Sequence, residues 1–247
     1  MFPPCEEGAR RSGPAGGGSL TSAPHMTAPS GLPLPAPTTT AAGAVPPIVP
    51  LSLLEALRNL DTPVEDGLDE LAGEIVSKRL GLSSTVAAQI QRYQYTLRRG
   101  GRVPLDECVA VFRLVSRRPD AALVFADAGR RAARYAARKG SMTLRALISA
   151  TPGFVSRRVG GRAARLAARR VFGAELGVRG LAAEARMREP LSLLATPDGR
   201  ACAYYGAAFA ELLRCLTGFE GAMVHERCRG RGDHDCQWRA AAAEEYG

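Results

Sequence analysis

The segment Val224-His225-Glu226-Arg227-Cys228, followed after a Gly- and Asp-rich connection by Cys236-Gln237-Trp238, sets two cysteines eight positions apart around a turn. Short apolar segments flanking such a connection read as a β-hairpin, which brings Cys228 and Cys236 together at its neck. A third cysteine, Cys202, lies upstream, and His225 stands three residues before Cys228. Thiolates and imidazole bind zinc tetrahedrally at about 2.0 to 2.3 Å, so this neck is a candidate metal clamp. Two reduced, buried cysteines in a core hairpin are the plainer alternative, because Cys-x7-Cys is not a zinc-finger spacing. Residues three apart on a regular strand point to opposite faces, so His225 joins Cys228 only if the strand bulges. A regular strand puts Glu226 on that side instead. His234, beside two Asp in the loop, reads as solvated.

Helical texture dominates the chain before the hairpin. Apolar residues at three- and four-residue spacing predict helices over Leu51 to Leu60, Val64 to Leu80, Ser83 to Arg99, Pro104 to Ser116 and Ala121 to Lys139. Short strands are expected at Glu175 to Val178, Leu181 to Arg188, Met223 to Cys228 and Cys236 to Ala240, with a Pro197-Asp198-Gly199 turn before a helix from Ala201 to Leu216. Helices first and a small antiparallel sheet late make an α+β fold. On the last helix Cys202 and Cys215 are thirteen positions apart, which at about 100° per residue places them on opposite sides. One of the two faces the hairpin. Cys108 falls in the apolar periodicity of its helix and reads as core, and Cys5 as a bystander.

Residues 1–50 are rich in Pro, Gly, Ser, Thr and Ala and are expected to be a disordered tail, within which Met26 is an alternative start. No run approaches the roughly 20 apolar residues of a transmembrane helix, and Arg10-Arg11 is followed by Gly-rich sequence where a secretion signal needs an apolar stretch. Six scattered cysteines in 247 residues are not a disulfide framework, so the expected compartment is the cytoplasm. Between Ala121 and Gly180 the chain carries 13 Lys and Arg against two acids, a local charge of +11 beside +9 for the whole chain. Arg158, Arg162, Arg165 and Arg169 line one face of an amphipathic helix over 153–172, next to Val155, Val159, Ala163 and Leu166. That face reads as solvated, with contact to nucleic acid, an anionic membrane or an anionic ligand group as alternatives.

From Cys202 to Trp238 the chain resembles the 4-vinyl reductase domain family, whose hallmark is a cysteine at a helix start followed by Glu-x2-Cys-x7-Cys. Cys202, Cys228 and Cys236 match three of those positions, and His225 stands where the family has Glu, with Glu226 one place later. The resemblance extends from about Pro119 to Ala240 and is nearest to bacteriochlorophyll 4-vinyl reductase-like proteins. It rests there on Arg117-Arg118-Pro119-Asp120-Ala121-Ala122 and on Ala128-Gly129-Arg130-Arg131 with Ala133 and Tyr135. It implies a TRAPP-like α/β domain over 119–247, preceded by a helical segment over 51–118. It also implies a structural zinc held by Cys202, His225, Cys228 and Cys236, leaving Cys215 in the core, and often a homodimer. The implied function is that of a small-molecule-binding sensor or accessory domain for a hydrophobic or tetrapyrrole-like ligand. That ligand would sit between the Ala-rich helices and the sheet, against Tyr205, Phe209 and Met223, although apolar residues at helical spacing read first as core.

Two further function classes stand beside it. The resemblance implies an enzyme or enzyme subunit that reduces a tetrapyrrole vinyl group, yet the chain has no strand-Gly-x-Gly-x-x-Gly-helix unit for a dinucleotide, and Gly160-Gly161 lacks a preceding strand. Three histidines, one of them in the tail, support no Ser/His/Asp triad. Four protein ligands would close the zinc shell, the arrangement of a structural rather than a catalytic ion. A basic DNA-binding regulator is the third class, weakened by the lack of a helix-turn-helix pattern.

Overall fold

A computed structural model of the chain describes residues 43–62, 80–139, 153–179 and 182–242. The expected helix over Val64 to Leu80 lies almost wholly outside them, as do Cys5, Met26 and the side chain of Val155. The described elements run β1 (Ala44–Val45), α1 (Ile48–Asp61), α2 (Ser84–Arg98), β2 (Val103–Pro104), α3 (Leu105–Ser116), α4 (Ala121–Lys139), α5 (Gly153–Ala167), β3 (Glu175–Arg179), β4 (Ala182–Met187), α6 (Leu191–Ala195), α7 (Ala203–Thr217), β5 (Gly221–Arg227) and β6 (Cys236–Ala242). The fold is α+β, with a four-stranded antiparallel sheet in the order β3-β4-β6-β5 and a two-stranded β1-β2 ladder.

Residues 43–50 are ordered, against the expectation from composition for residues 1–50. Gly43 to Pro50 is strand and helix, and Ile48, Val49 and Pro50 are buried. The prolines that read as loop occupy the cap and first turn of α1, with Pro47 at the cap, where a missing N–H costs no helical hydrogen bond. Other helix ends follow their local chemistry. Ser83 Oγ caps α2 by accepting from Val86 N at 3.3 Å, Asp106 and Glu107 sit in the first turn of α3, and Gly218 in the left-handed region closes α7.

Alternation along the strands decides which face is buried. Leu176, Ala183, Ala185, Met187, Met223, Cys236 and Trp238 are buried, whereas Glu175, Arg186 and Arg239 lie on the outer face. The inner face packs on α7, where Phe209 meets Trp238 edge to face at 5.4 Å between ring centroids. Behind α7 lies α4, and a Cβ on Gly129 would stand 2.2 Å from Tyr204 O, so glycine sets that close approach. Gly160 does the same for α5, its Cβ position only 1.8 Å from Leu216 O.

The division expected at residue 118 does not separate two bodies. All described residues belong to one compact unit, and the core runs from Leu53 and Leu57 of α1 through Phe112 of α3 to Phe125 of α4 and Tyr204 of α7. Phe112 stacks on Phe125 and meets Tyr204 edge to face. Arg118, at the expected boundary, holds buried Asp61 at 2.8 Å and Asp120 at 2.7 Å, tying α1 to the start of α4. An isolated 51–118 segment would leave the apolar stripe of α1 without its partner.

Candidate metal centre

Cys202, His225, Cys228 and Cys236 converge, each offering one ligand atom, with all four atoms within 4.8 Å of one another. Four segments of chain contribute. Cys202 closes a 3₁₀ turn, Arg200–Cys202, that leads into α7; His225 lies on β5; Cys228 follows the end of β5; and Cys236 opens β6. The Sγ atoms of Cys228 and Cys236 are 4.0 Å apart. A tetrahedral ion with bonds of about 2.3 Å to sulfur sets sulfur–sulfur distances near 3.8 Å, so the cluster is slightly wider than a loaded shell.

A bulge selects the histidine. His225 pairs with Trp238 and Arg227 with Gln237, which leaves Glu226 as the extra residue and turns His225 to the same side as Cys228. Arg231 spans the irregularity, donating from Nη2 to Glu226 O at 3.2 Å and His225 O at 3.5 Å. The imidazole stacks on Trp238 at 4.5 Å and 10°, and its Nε2 is buried without a hydrogen-bond partner. A buried, unpaired imidazole nitrogen beside three sulfurs is what a ligand to an ion looks like before the ion is counted. Glu226 faces away and pairs with Arg239 at 3.4 Å. His234 is exposed in the loop.

The surroundings hold the sulfurs in place. Ser192 Oγ lies 3.1 Å from Cys202 Sγ. The Arg229 amide donates to Cys236 Sγ at 3.4 Å, and the Cys228 amide donates to Asp233 Oδ2 at 2.7 Å, which folds the loop back on its neck. Gly199 has φ +78°, and a Cβ there would stand 2.5 Å from Cys228 Sγ, so the space beside the sulfurs exists only because this residue has no side chain. The Cys236 thiol is brought down to about 4, first by Cys202 and also by the Arg229 amide. Cys202 is pushed up because it donates to Cys236 and is buried. Burial raises Cys228. A divalent cation there would be held by thiolates, so its binding would displace the protons these thiols carry.

Ser192, Asp233, Arg231 and Gly199 complete the site without belonging to the cysteine spacing. Gly199 alone has a sequence signal, the Pro-Asp-Gly turn. The remaining cysteines stay apart. Cys108 is fully buried in α3, and half-buried Cys215 on α7 donates to Glu211 Oε1 at 3.7 Å.

The same unit holds two cavities, one of them against the hairpin. One, of about 700 Å³, is walled by Arg229 and Gly230 of the hairpin loop, Pro197, Leu191, Phe172 and Tyr205. The other, of about 690 Å³, lies between α4 and α5, with Tyr135, Ala136, Val159, Ala163 and Leu166 in its wall. Of the residues expected to touch a ligand, Tyr205 lines the first cavity. Phe209 and Met223 line neither, and both are buried against the sheet and α7. Among the described residues no helix is long and apolar enough to cross a membrane. Comparison of the chain with protein-family models, with curated proteins and with solved structures finds no match.

Proposed function

We propose that the protein is a small-molecule-binding domain of the 4-vinyl reductase type, with a TRAPP-like fold and a structural zinc, acting as a sensor or accessory for a hydrophobic or tetrapyrrole-like ligand. The observation that carries this reading is the cavity of about 690 Å³ between the Ala-rich helices α4 and α5, a size and largely apolar lining suited to such a ligand. The convergence of a helix-entry cysteine with a Cys-x7-Cys hairpin supports the family reading. Three sulfurs and one nitrogen close a tetrahedral shell, so zinc there pins the hairpin and leaves no coordination position for a substrate.

Binding of the neutral fluorophore N-phenyl-1-naphthylamine tests the cavity. Wild-type protein is expected to bind it, and Ala163→Trp, which fills the space between α4 and α5, is expected to abolish binding with zinc content unchanged. No binding by the wild type, or equal binding by the variant, overturns the reading. Turnover of a divinyl tetrapyrrole with NADPH would replace binding by catalysis. A second reading, a basic regulator that contacts DNA, draws on the exposure of Arg158, Arg162, Arg165 and Arg169 along α5 and the turn after it. It requires DNA retention that falls steeply with salt.

A further inference from the structure

The two cavities are not independent, since Pro46, Arg102, Arg170 and Val171 line both. We propose that they form one two-lobed site for an amphipathic anion, whose acidic group sits between Arg102 and Arg170 while its apolar body lies against Ala136, Ala163 and Leu166. The proposal rests on the binding reading above and names the chemical class of the ligand.

Charge complementarity is the first argument. Among the described residues, the helix-walled cavity has Arg102, Arg162 and Arg170 in its lining and neither Asp nor Glu. The hairpin-walled cavity adds Arg169, Arg229 and a single acid, Glu189, which is paired with Arg229 at 3.7 Å. Arg162 and Arg170 make no ion pair with any described residue. A neutral apolar ligand gives such a lining nothing to neutralise, whereas a carboxylate or sulfonate accepts the charge-assisted hydrogen bonds that guanidinium groups donate in a planar fork.

Preorganisation is the second. Arg102 donates from Nε to Ala44 O at 3.1 Å and from Nη2 to the same oxygen, so its guanidinium is fixed before any ligand arrives. Ala44 is itself held by the β1-β2 ladder, opposite Pro104. Arg170 and Val171 stand in a π-helical turn, Ala168–Phe172, that ends at Gly173 in the left-handed region. An α-helical continuation of α5 would rotate these two side chains away from where they stand. Insertions of this kind recur at functional sites because they re-aim side chains without breaking a helix.

Two fluorophores with one aromatic frame supply the test: 8-anilinonaphthalene-1-sulfonate and the neutral N-phenyl-1-naphthylamine. The sulfonate is expected to bind the zinc-loaded protein about 10-fold more tightly or better, the scale of one charged hydrogen bond. Arg170→Gln should erase that preference, with the sulfonate weakening about 10-fold relative to N-phenyl-1-naphthylamine and the melting temperature unchanged. Arg158→Gln, on the preceding helix α5 but outside both cavities, should leave both affinities as they are. Equal affinity of the wild type for the two probes overturns the anion proposal alone, as does an equal loss in the Arg158 and Arg170 variants. Failure of both probes to bind overturns the binding reading itself.

Discussion

Replacing Gly199 by alanine isolates how much the metal centre depends on one missing side chain. The added Cβ would stand 2.5 Å from Cys228 Sγ and 3.9 Å from Cys202 Sγ. Ordinary contact begins near 3.5 Å, so the Cys228 sulfur must retreat by about 1 Å. The backbone has little freedom to yield instead, because Gly199 N donates to Thr196 O at 3.0 Å and Cys202 N donates to Gly199 O at 2.9 Å. Coordination tolerates about 0.2 Å, so a sulfur displaced this far leaves the shell, and zinc affinity should fall by about 100-fold or more. The left-handed backbone at φ +78° adds about 1 to 2 kcal/mol for any L side chain, which by itself has no bearing on the metal. Gly232→Ala separates the two effects: at φ +98° it meets the same backbone penalty, with nothing within 4 Å of its Cβ. Competition of each purified variant with a chromophoric zinc chelator reads the affinity directly, and Gly232→Ala should stay within about 3-fold of the wild type. If the two alanine variants hold zinc equally, the sulfurs do not depend on that gap and the argument fails.

His225→Ala should weaken zinc by at least about 10-fold and Glu226→Ala by less than about 3-fold in the same titration, since Glu226 faces Arg239; the reverse order would mean that the bulge does not set the ligand. Adjacent glycines of α5 should answer oppositely in urea unfolding. Gly160→Ala forces the helix off Leu216 O and should cost about 2 kcal/mol or more, whereas Gly161→Ala meets only the Val178 side chain, at 3.5 Å, and should be neutral or gain up to about 1 kcal/mol. Glu211 is held down to about 2 by hydrogen bonds from Arg214 and then Arg134. Its folded value lies below the unfolded one, so its contribution is present above about pH 4.5 and disappears as pH falls towards 2. Glu211→Gln should therefore cost about 2 kcal/mol at pH 7, allowing for screening at the half-exposed guanidinium groups, and much less at pH 3. A pH-independent difference would show that the carboxylate is not the source.

Elements whose signal is local periodicity were legible in the chain. Ala121–Lys139 has the expected bounds, and the last strand starts at Cys236 as its pattern requires. The fourth ligand was legible only as a choice between His225 and Glu226, because a regular strand and a bulged one share the same residues. What decides between them is Arg231 on two carbonyls, a contact that no spacing encodes. Pro46 to Pro50 misled for a related reason, since composition weighs proline without regard to whether it falls in a loop or in the first turn of a helix. The two-lobed cavity was not legible at all. Arg170 sits beside the Arg face of α5 by sequence, and only the π turn carries it and Val171 to the wall where the cavities meet.

The proposed metal and ligand sites share a wall, so their affinities should be linked. Arg229 and Gly230 of the loop and Pro197 of the preceding turn line one lobe. A Cβ on Gly230 would stand 2.3 Å from Pro197 O, so loop and turn are pressed together. A metal ion held by the cluster would fasten this junction from the other side, since Cys202 follows the turn and Cys228 and Cys236 bracket the loop. Without an ion, the junction would rest on contacts between the thiols alone. Zinc should therefore tighten the binding of 8-anilinonaphthalene-1-sulfonate by about 5-fold or more, and reciprocity demands that the probe tighten zinc by the same factor. Measuring both sides of the cycle guards against probe taken up by loosened apo-protein, which would make the two factors unequal. Affinities that are independent in both directions would mean that the hairpin merely adjoins the site and does not shape it.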